Sequence, residues 1–382
     1  MKILVTHPGR QHSHQAALAL ESAGMLAGYW SGVPAVAEQA ARVPAALRSK
    51  FARYAPIPLD PARARWFPWT PALRRFGPWP DFAACRLFDR WAARGLARLR
   101  PDAVIACEIS ALETFRVARR LGIAAILDAP SIHHIAQDRL HGTADPQDLH
   151  GRITDLKDEE IALADHVLAV SELARQTYVE AGVPAGKVHA VSLGADTELF
   201  TPGEGGTGPV TFLFSGATIR RKGFDLLLAA FDRVLTGQPE ARLRIVGSKG
   251  DLGHLLDGRS DRITFVGPVP QRELAAELRR ADCLVLPSRN DSYGMVVAEA
   301  LASGTPVLLS EMVGSKDLVA EGKTGWIVPV EDAGALSGRM LWCAANPEAL
   351  RALRPACRLA AEEAAWPAYH RRLAELLRRL LA

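Results

Sequence analysis

Short runs of aliphatic and β-branched residues alternate with longer stretches of helical apolar spacing along this chain, and they do so in two separate sets. The first set occupies 3–6, 103–107, 124–127 and 167–170, and the second 211–215, 242–246, 263–266, 283–287 and 306–309. Apolar runs of this length divided by helical segments mark buried parallel strands in βαβ units. The expected class is therefore α/β, with two doubly wound Rossmann-like domains. The length of 382 residues agrees, because it exceeds what one hydrophobic core organises. The densest glycine and proline cluster between strand candidates spans 201–209 and reads as a linker. This divides the chain into an N-terminal domain over 1–200, a C-terminal domain over 210–365, and a terminal helix over 366–382. Leu373, Leu376, Leu377, Leu380 and Leu381 give that helix an apolar stripe, which either packs back across the domains or leaves it a plain amphipathic end. In open sheets ligands bind outside the carboxyl ends of the strands, so a central cleft between two such domains is the expected binding place.

Composition narrows the function classes. Five scattered cysteines without a Cys-x-x-Cys pair suggest neither a disulfide framework nor a structural zinc site, and they suit a reducing cytoplasm. No apolar stretch is long enough for a signal-peptide core or a membrane span. The net charge is only +4, but 42–100 holds thirteen Lys and Arg against Asp60, Asp81 and Asp89, interleaved with Phe51, Trp66, Phe67, Trp69, Phe76 and Trp79. Two readings stand: a docking face for an anionic membrane surface or phosphorylated acceptor, with the protein peripheral on the inner face of the membrane, or a solvated arginine-rich surface. No nucleic-acid-binding motif accompanies the charge.

The chemistry concentrates in 287–307. The apolar run 283–286 stops at Pro287, a polar turn follows, Gly294 opens a helix, and Gly304 closes it before the next strand. Amides from Gly294 through Met295 to Val296 at that helix start would point at an anion and favour a diphosphate. Asp291 precedes the helix and Glu299 lies more than a turn inside it, so one carboxylate can meet a transferring sugar while the other accepts hydrogen bonds from a ribose. A second element follows the run 211–215: Ser215-Gly216-Ala217-Thr218-Ile219-Arg220-Arg221-Lys222-Gly223. A glycine turn with clustered cations ahead of a helix can neutralise two phosphates. Lys222 is one of eight lysines in a chain with thirty-eight arginines.

Together these stretches resemble the large retaining glycosyltransferase family 4, whose signature is two acids separated by seven residues; here the pair follows Pro287-Ser288 and runs on into Glu299-Ala300-Leu301-Ala302-Ser303-Gly304-Thr305-Pro306-Val307. Asp291 stands where that family usually has Glu, and Glu299 fills the second position. Lys222 matches the family lysine, whereas Ala217 stands where an arginine is usual, which passes that role to Arg220 or Arg221. The resemblance runs from about Asp102 onward through 192–202, the strand-end loops at Gly247 and Val269, 325–328 and Trp366. It implies a GT-B fold and a retaining transfer from a nucleoside-diphosphate sugar to a hydroxyl acceptor. Asp291, Lys222, Arg221 and His133 are then catalytic; Gly216, Arg220, Arg221, Lys222, Gly247, Val269, Asp291, Tyr293, Gly294, Met295, Val296 and Glu299 bind the donor.

His133, after the run 124–127, is expected on the acceptor side with Gly9, Arg10 and His12 of the polar turn His7-Pro8-Gly9-Arg10-Gln11-His12-Ser13-His14. No acid or cysteine adjoins these histidines in sequence, and no Asp-x-Asp pair is present, so neither a metal nor any other cofactor is expected. Two rivals share this plan: a sugar-nucleotide epimerase, which needs acid–base residues flanking the donor, and a catalytically weak donor-binding subunit, which the departures at Asp291 and Ala217 would suit. Donor turnover by the protein alone separates them.

Overall fold

The computed structural model describes residues 1–44, 48–51, 54–69, 80–141, 149–203 and 206–382. The chain forms two compact units, one from Met1–Val170, Arg175–Val191 and Tyr369–Ala382, the other from Ser171–Ala174 and Ser192–Ala368. The terminal helix Trp366–Leu380 thus begins in the second unit and continues in the first.

The first unit is built on β1 (Ile3–His7), β2 (Leu26–Ser31), β3 (Ala64–Trp66), β4 (Ala103–Cys107), β5 (Ala124–Ala129), β6 (His166–Ala169) and β7 (Val188–Ala190), in the sheet order β3-β2-β1-β4-β5-β6-β7. The second contains β8 (Thr211–Ser215), β9 (Arg242–Val246), β10 (Ile263–Gly267), β11 (Cys283–Leu286), β12 (Val307–Ser310) and β13 (Gly325–Val328), ordered β10-β9-β8-β11-β12-β13. Every pairing in both sheets is parallel. Strands covered by helices on both faces are mostly apolar, and β1, β4, β11 and β12 are buried at every residue.

Four strands lie outside the apolar runs of the sequence. β3 and β7 have three residues each, too few to show a period. β2 is interrupted by Gly28, where a Cβ would stand 3.2 Å from the Arg63 carbonyl oxygen and 3.1 Å from Trp30 Nε1. β13 starts on Gly325, whose Cβ would meet the Val307 carbonyl oxygen at 2.0 Å.

In both units the strand order reverses beside the first strand, between β1 and β4 and again between β8 and β11. Chain leaving neighbouring strands there diverges to opposite faces and opens a crevice at the carboxyl end of the sheet. The second unit's reversal point brings together two loops, one after β8 with Lys222 and one after β11 with Asp291.

Candidate active site

Backbone contacts join these two loops. Gly223 has φ +67°, and a Cβ there would lie 1.9 Å from the Pro287 carbonyl oxygen, so only glycine allows this approach. The Arg289 amide donates to the Arg221 carbonyl (2.9 Å), and Arg221 Nη1 donates to the Asn290 carbonyl (3.0 Å). The Asp291 amide donates to Met312 O and its carbonyl accepts from the Gly314 amide, fixing the acid at both ends. Across this junction Lys222 Nζ donates to Asp291 Oδ2 at 2.5 Å, with both side chains mostly buried. The lysine and the first acid, 69 residues apart, therefore form one ion pair.

Gly294 caps the helix Met295–Ala302 with φ +82°, and a Cβ there would come within 2.8 Å of Val313 Cγ1. The first intrahelical bond runs from the Val297 amide to Gly294 O, so the amides of Gly294, Met295 and Val296 at the helix start precede it. Their aligned dipoles favour negative charge. Glu299 sits among Val297, Ala298, Ala300, Leu301 and Ala302, all buried, and is itself 8% exposed. No hydrogen bond to its carboxylate exists among the described residues, and burial alone raises its pKa from 4.5 to about 7. A buried carboxylate without donors is costly unless a ligand brings them.

The other residues expected at the donor divide. Gly247 packs against the loop after β8, where a Cβ would meet Gly216 O at 2.0 Å, and Gly216 itself bonds through its amide to Val246 O. Tyr293 is buried, with its hydroxyl donating to Leu193 O at 2.5 Å, so its polar end already serves the fold. Arg220 is exposed, lying 3.8 Å from Asp225, and Val269 is half-buried. Arg221 spends one guanidinium nitrogen on Asn290. Of the cations expected to meet the diphosphate, Lys222 is the one aimed at a site acid.

In the first unit the loop after β1 lies at the other reversal point. His12 Nε2 meets Asp128 Oδ1 at 2.9 Å. The acid missing from the sequence neighbourhood of this histidine thus comes from β5, a contact 116 residues apart. Burial opposes charge on both partners, yet the pairing prevails: the His12 pKa lies above and the Asp128 pKa below its ordinary value. His7, buried and accepting the Gly9 amide on Nδ1, is pushed down to about 4 by burial. Arg10 is buried and donates to Ala55 O at 2.5 Å. His133 is buried, its amide bonded to Thr177 Oγ1, its ring 4.2 Å from that of His134 and edge-on to Tyr178 at 5.0 Å. Burial, then the neighbouring His134 and Lys157, lower its pKa to about 4, leaving a neutral imidazole. His133, His134 and Asp158 bring ligand-type atoms within 4.8 Å of one another, a grouping absent from the sequence reading; Lys157 beside them is ion-paired with Glu108 at 3.2 Å.

The aromatic residues of 42–100 mostly turn inward. Phe51 packs edge-on against Trp66 and Phe67 lies 5.4 Å from Trp91, while Trp69 is 64% exposed; Phe76 and Trp79 fall outside the described residues. Among the described residues no helix is long and apolar enough to cross a membrane.

Known proteins resemble this chain in sequence and in fold. Residues 22–199 match the profile of glycosyltransferase family 4, and residues 197–359 that of glycosyl transferases group 1. The chain belongs to glycosyltransferase family 4. Curated relatives include the D-inositol 3-phosphate glycosyltransferase of Streptosporangium roseum, 32% identical over 46% of this chain and 46% of that protein. Its namesake in Corynebacterium aurimucosum is 36% identical over 36% of this chain and 38% of that one. The chain spans about half the length of these relatives or less. Over its whole length it resembles sucrose-phosphate synthase of Thermosynechococcus elongatus (TM-score 0.75, 20% identity, 100% of this chain and 99% of that). It also resembles Anabaena HepE, solved with UDP-glucose (TM-score 0.67, 14% identity, 99% of this chain and 100% of that). These likenesses give the GT-B fold of two Rossmann-like units.

Proposed function

We propose that this glycosyltransferase moves a sugar from a nucleoside-diphosphate sugar to a hydroxyl acceptor, with retention of the anomeric configuration. The observation that carries the reading is the conjunction in the second unit of the Lys222–Asp291 pair, the amides at the start of Met295–Ala302, and the donorless carboxylate of Glu299 on that helix. A nucleoside-diphosphate sugar has a matching part for each. The ribose hydroxyls supply donors to Glu299, the diphosphate takes the helix amides and Lys222, and the sugar hydroxyls take Asp291. On binding, Lys222 exchanges Asp291 for phosphate, which frees Asp291 for the sugar. As the bond from the anomeric carbon to the phosphate oxygen breaks, the acceptor oxygen bonds to that carbon from the same face. Its proton passes to the departing diphosphate. Lys222 and the helix amides hold the growing charge without rearrangement at that moment.

We assign Gly9, Arg10, His12 and His133 to the acceptor, because they stand on loops at the carboxyl ends of β1 and β5. Arg90, Arg94 and Arg98, exposed at four-residue spacing on the helix Pro80–Leu99, support contact with an anionic membrane surface.

The test is incubation of the purified chain with UDP-, GDP- and ADP-sugars and hydroxyl acceptors, beginning with UDP-glucose, and determination of the product's anomeric configuration by NMR. A donor whose diphosphate raises the melting temperature, consumed to give the retained anomer, is the expected result. An inverted product, or no diphosphate bound and no donor consumed, overturns the proposal.

A further inference from the structure

We propose that Arg289 is the positioning residue of the donor site, a clamp that sets Lys222 against Asp291; this rests on the donor-site reading above. Arg289 is 8% exposed and follows β11 by three residues. Its guanidinium has five N–H donors. Nη1 donates to Asp225 Oδ1 (2.7 Å) and Arg220 O (2.6 Å); Nη2 donates to Asp225 Oδ2 (2.9 Å) and Glu331 Oε2 (3.1 Å); Nε donates to Glu331 Oε1. Each donor is used, so Arg289 could reach a phosphate only by giving up a bond. Two carboxylates also outweigh its single charge. Among the cations of this region it is therefore the one least suited to bind an anion.

What the five bonds do is geometric. Arg220, Arg221 and Lys222 form one 3₁₀ turn; Arg289 holds the Arg220 carbonyl with its side chain and the Arg221 carbonyl with its amide. Two residues further along its own loop stands Asp291. Arg289 thus holds the turn that carries Lys222 against the loop that carries Asp291, while Asp225 ties the clamp to the helix Phe224–Gly237. Glu331 completes it from a left-handed backbone, φ +63°, a conformation that costs a non-glycine residue energy and persists where surrounding bonds hold it. The planar fork is essential. A lysine keeps the charge but offers three donors from one nitrogen, and cannot span two carboxylates and a carbonyl at once.

The experiment compares the parent chain with Arg289→Lys, Glu331→Gln and Lys222→Ala, measuring affinities for UDP against uridine, GDP against guanosine and ADP against adenosine. The readout is the diphosphate-over-nucleoside ratio for the base that binds, which a general loss of stability leaves unchanged. Arg289→Lys is expected to lower that ratio by about tenfold, with uridine or its counterpart bound as in the parent. Hydrogen exchange should also rise in 216–223. Should Lys222→Ala lose the ratio while Arg289→Lys keeps it, the clamp is refuted and the donor site stands; should Lys222→Ala keep it too, the donor-site reading falls. If Arg289→Lys does not fold, Glu331→Gln decides, because that carboxylate is half exposed. A drop of about threefold supports the clamp, and an unchanged ratio refutes it.

Discussion

Replacing Glu299 by glutamine separates a carboxylate that waits for a ligand from one that merely fills space. In the folded chain this group titrates near 7, and in the unfolded chain near 4.5, because burial disfavours its charged form. Between those values the folded state keeps a proton that the unfolded state has released, so stability falls as pH rises from 4.5 to 7. That displacement corresponds to about 3 kcal/mol, all of it lost above pH 7. Glutamine cannot ionise, so denaturant unfolding of Glu299→Gln should lack that fall. The parent should lose about 3 kcal/mol relative to the variant between pH 4.5 and pH 8. Other titrating groups, including Glu160, which burial pushes up to about 8, contribute equally to both curves and cancel.

Binding should run the opposite way. Ribose hydroxyls donate to the ionised carboxylate, so the parent should bind nucleoside diphosphate about tenfold or more tightly than Glu299→Gln at pH 8. That advantage should shrink by roughly tenfold by pH 6, where the parent must first lose a proton. The ligand's own phosphate titration is common to both proteins. Stability curves that stay parallel across this range, or equal affinity at pH 8, would refute the assignment.

Lys222→Ala should lower kcat by about a hundredfold, with acceptor KM little changed, because its charge is needed most as the diphosphate departs; steady-state kinetics checks this. Asp291→Asn should leave nucleoside diphosphate affinity equal or slightly raised, since Lys222 is released from its partner, while transfer falls; unimpaired transfer would contradict a role at the sugar. Turnover should survive EDTA, because protein cations and helix amides balance the diphosphate, and an activity restored only by divalent ions would overturn that. Vesicle co-sedimentation should be stronger with anionic than with neutral lipid if Arg90, Arg94 and Arg98 meet a membrane, and equal binding removes that docking face.

The α/β class was legible because parallel strands covered on both faces are mostly apolar, as 283–286 and 307–309 are. β2 was not, because its residues answer to the neighbouring β3 and to Gly28, whose absent side chain lets two chains approach. Parts of the candidate site's geometry were legible for a similar reason. Gly223 and Gly294 stand in left-handed backbone against close neighbours, and such requirements leave their mark on residue type at fixed spacing. Pairings across long stretches of sequence leave no spacing to read. His12 found its acid 116 residues away in β5, and nothing near it in sequence announced Asp128.

Arg289 shows the same limit most sharply. In a chain with thirty-eight arginines, one more between Pro-Ser and Asn-Asp is unremarkable, and charge beside a diphosphate site suggests a phosphate ligand. Only the positions of Asp225, Glu331 and the Arg220 carbonyl reveal that its donors are already committed. A residue's contribution to an anion site depends on which of its hydrogen bonds remain unspent. By that criterion Lys222, with a single acid to exchange, is available to a diphosphate, while Arg289 is the frame that holds it there.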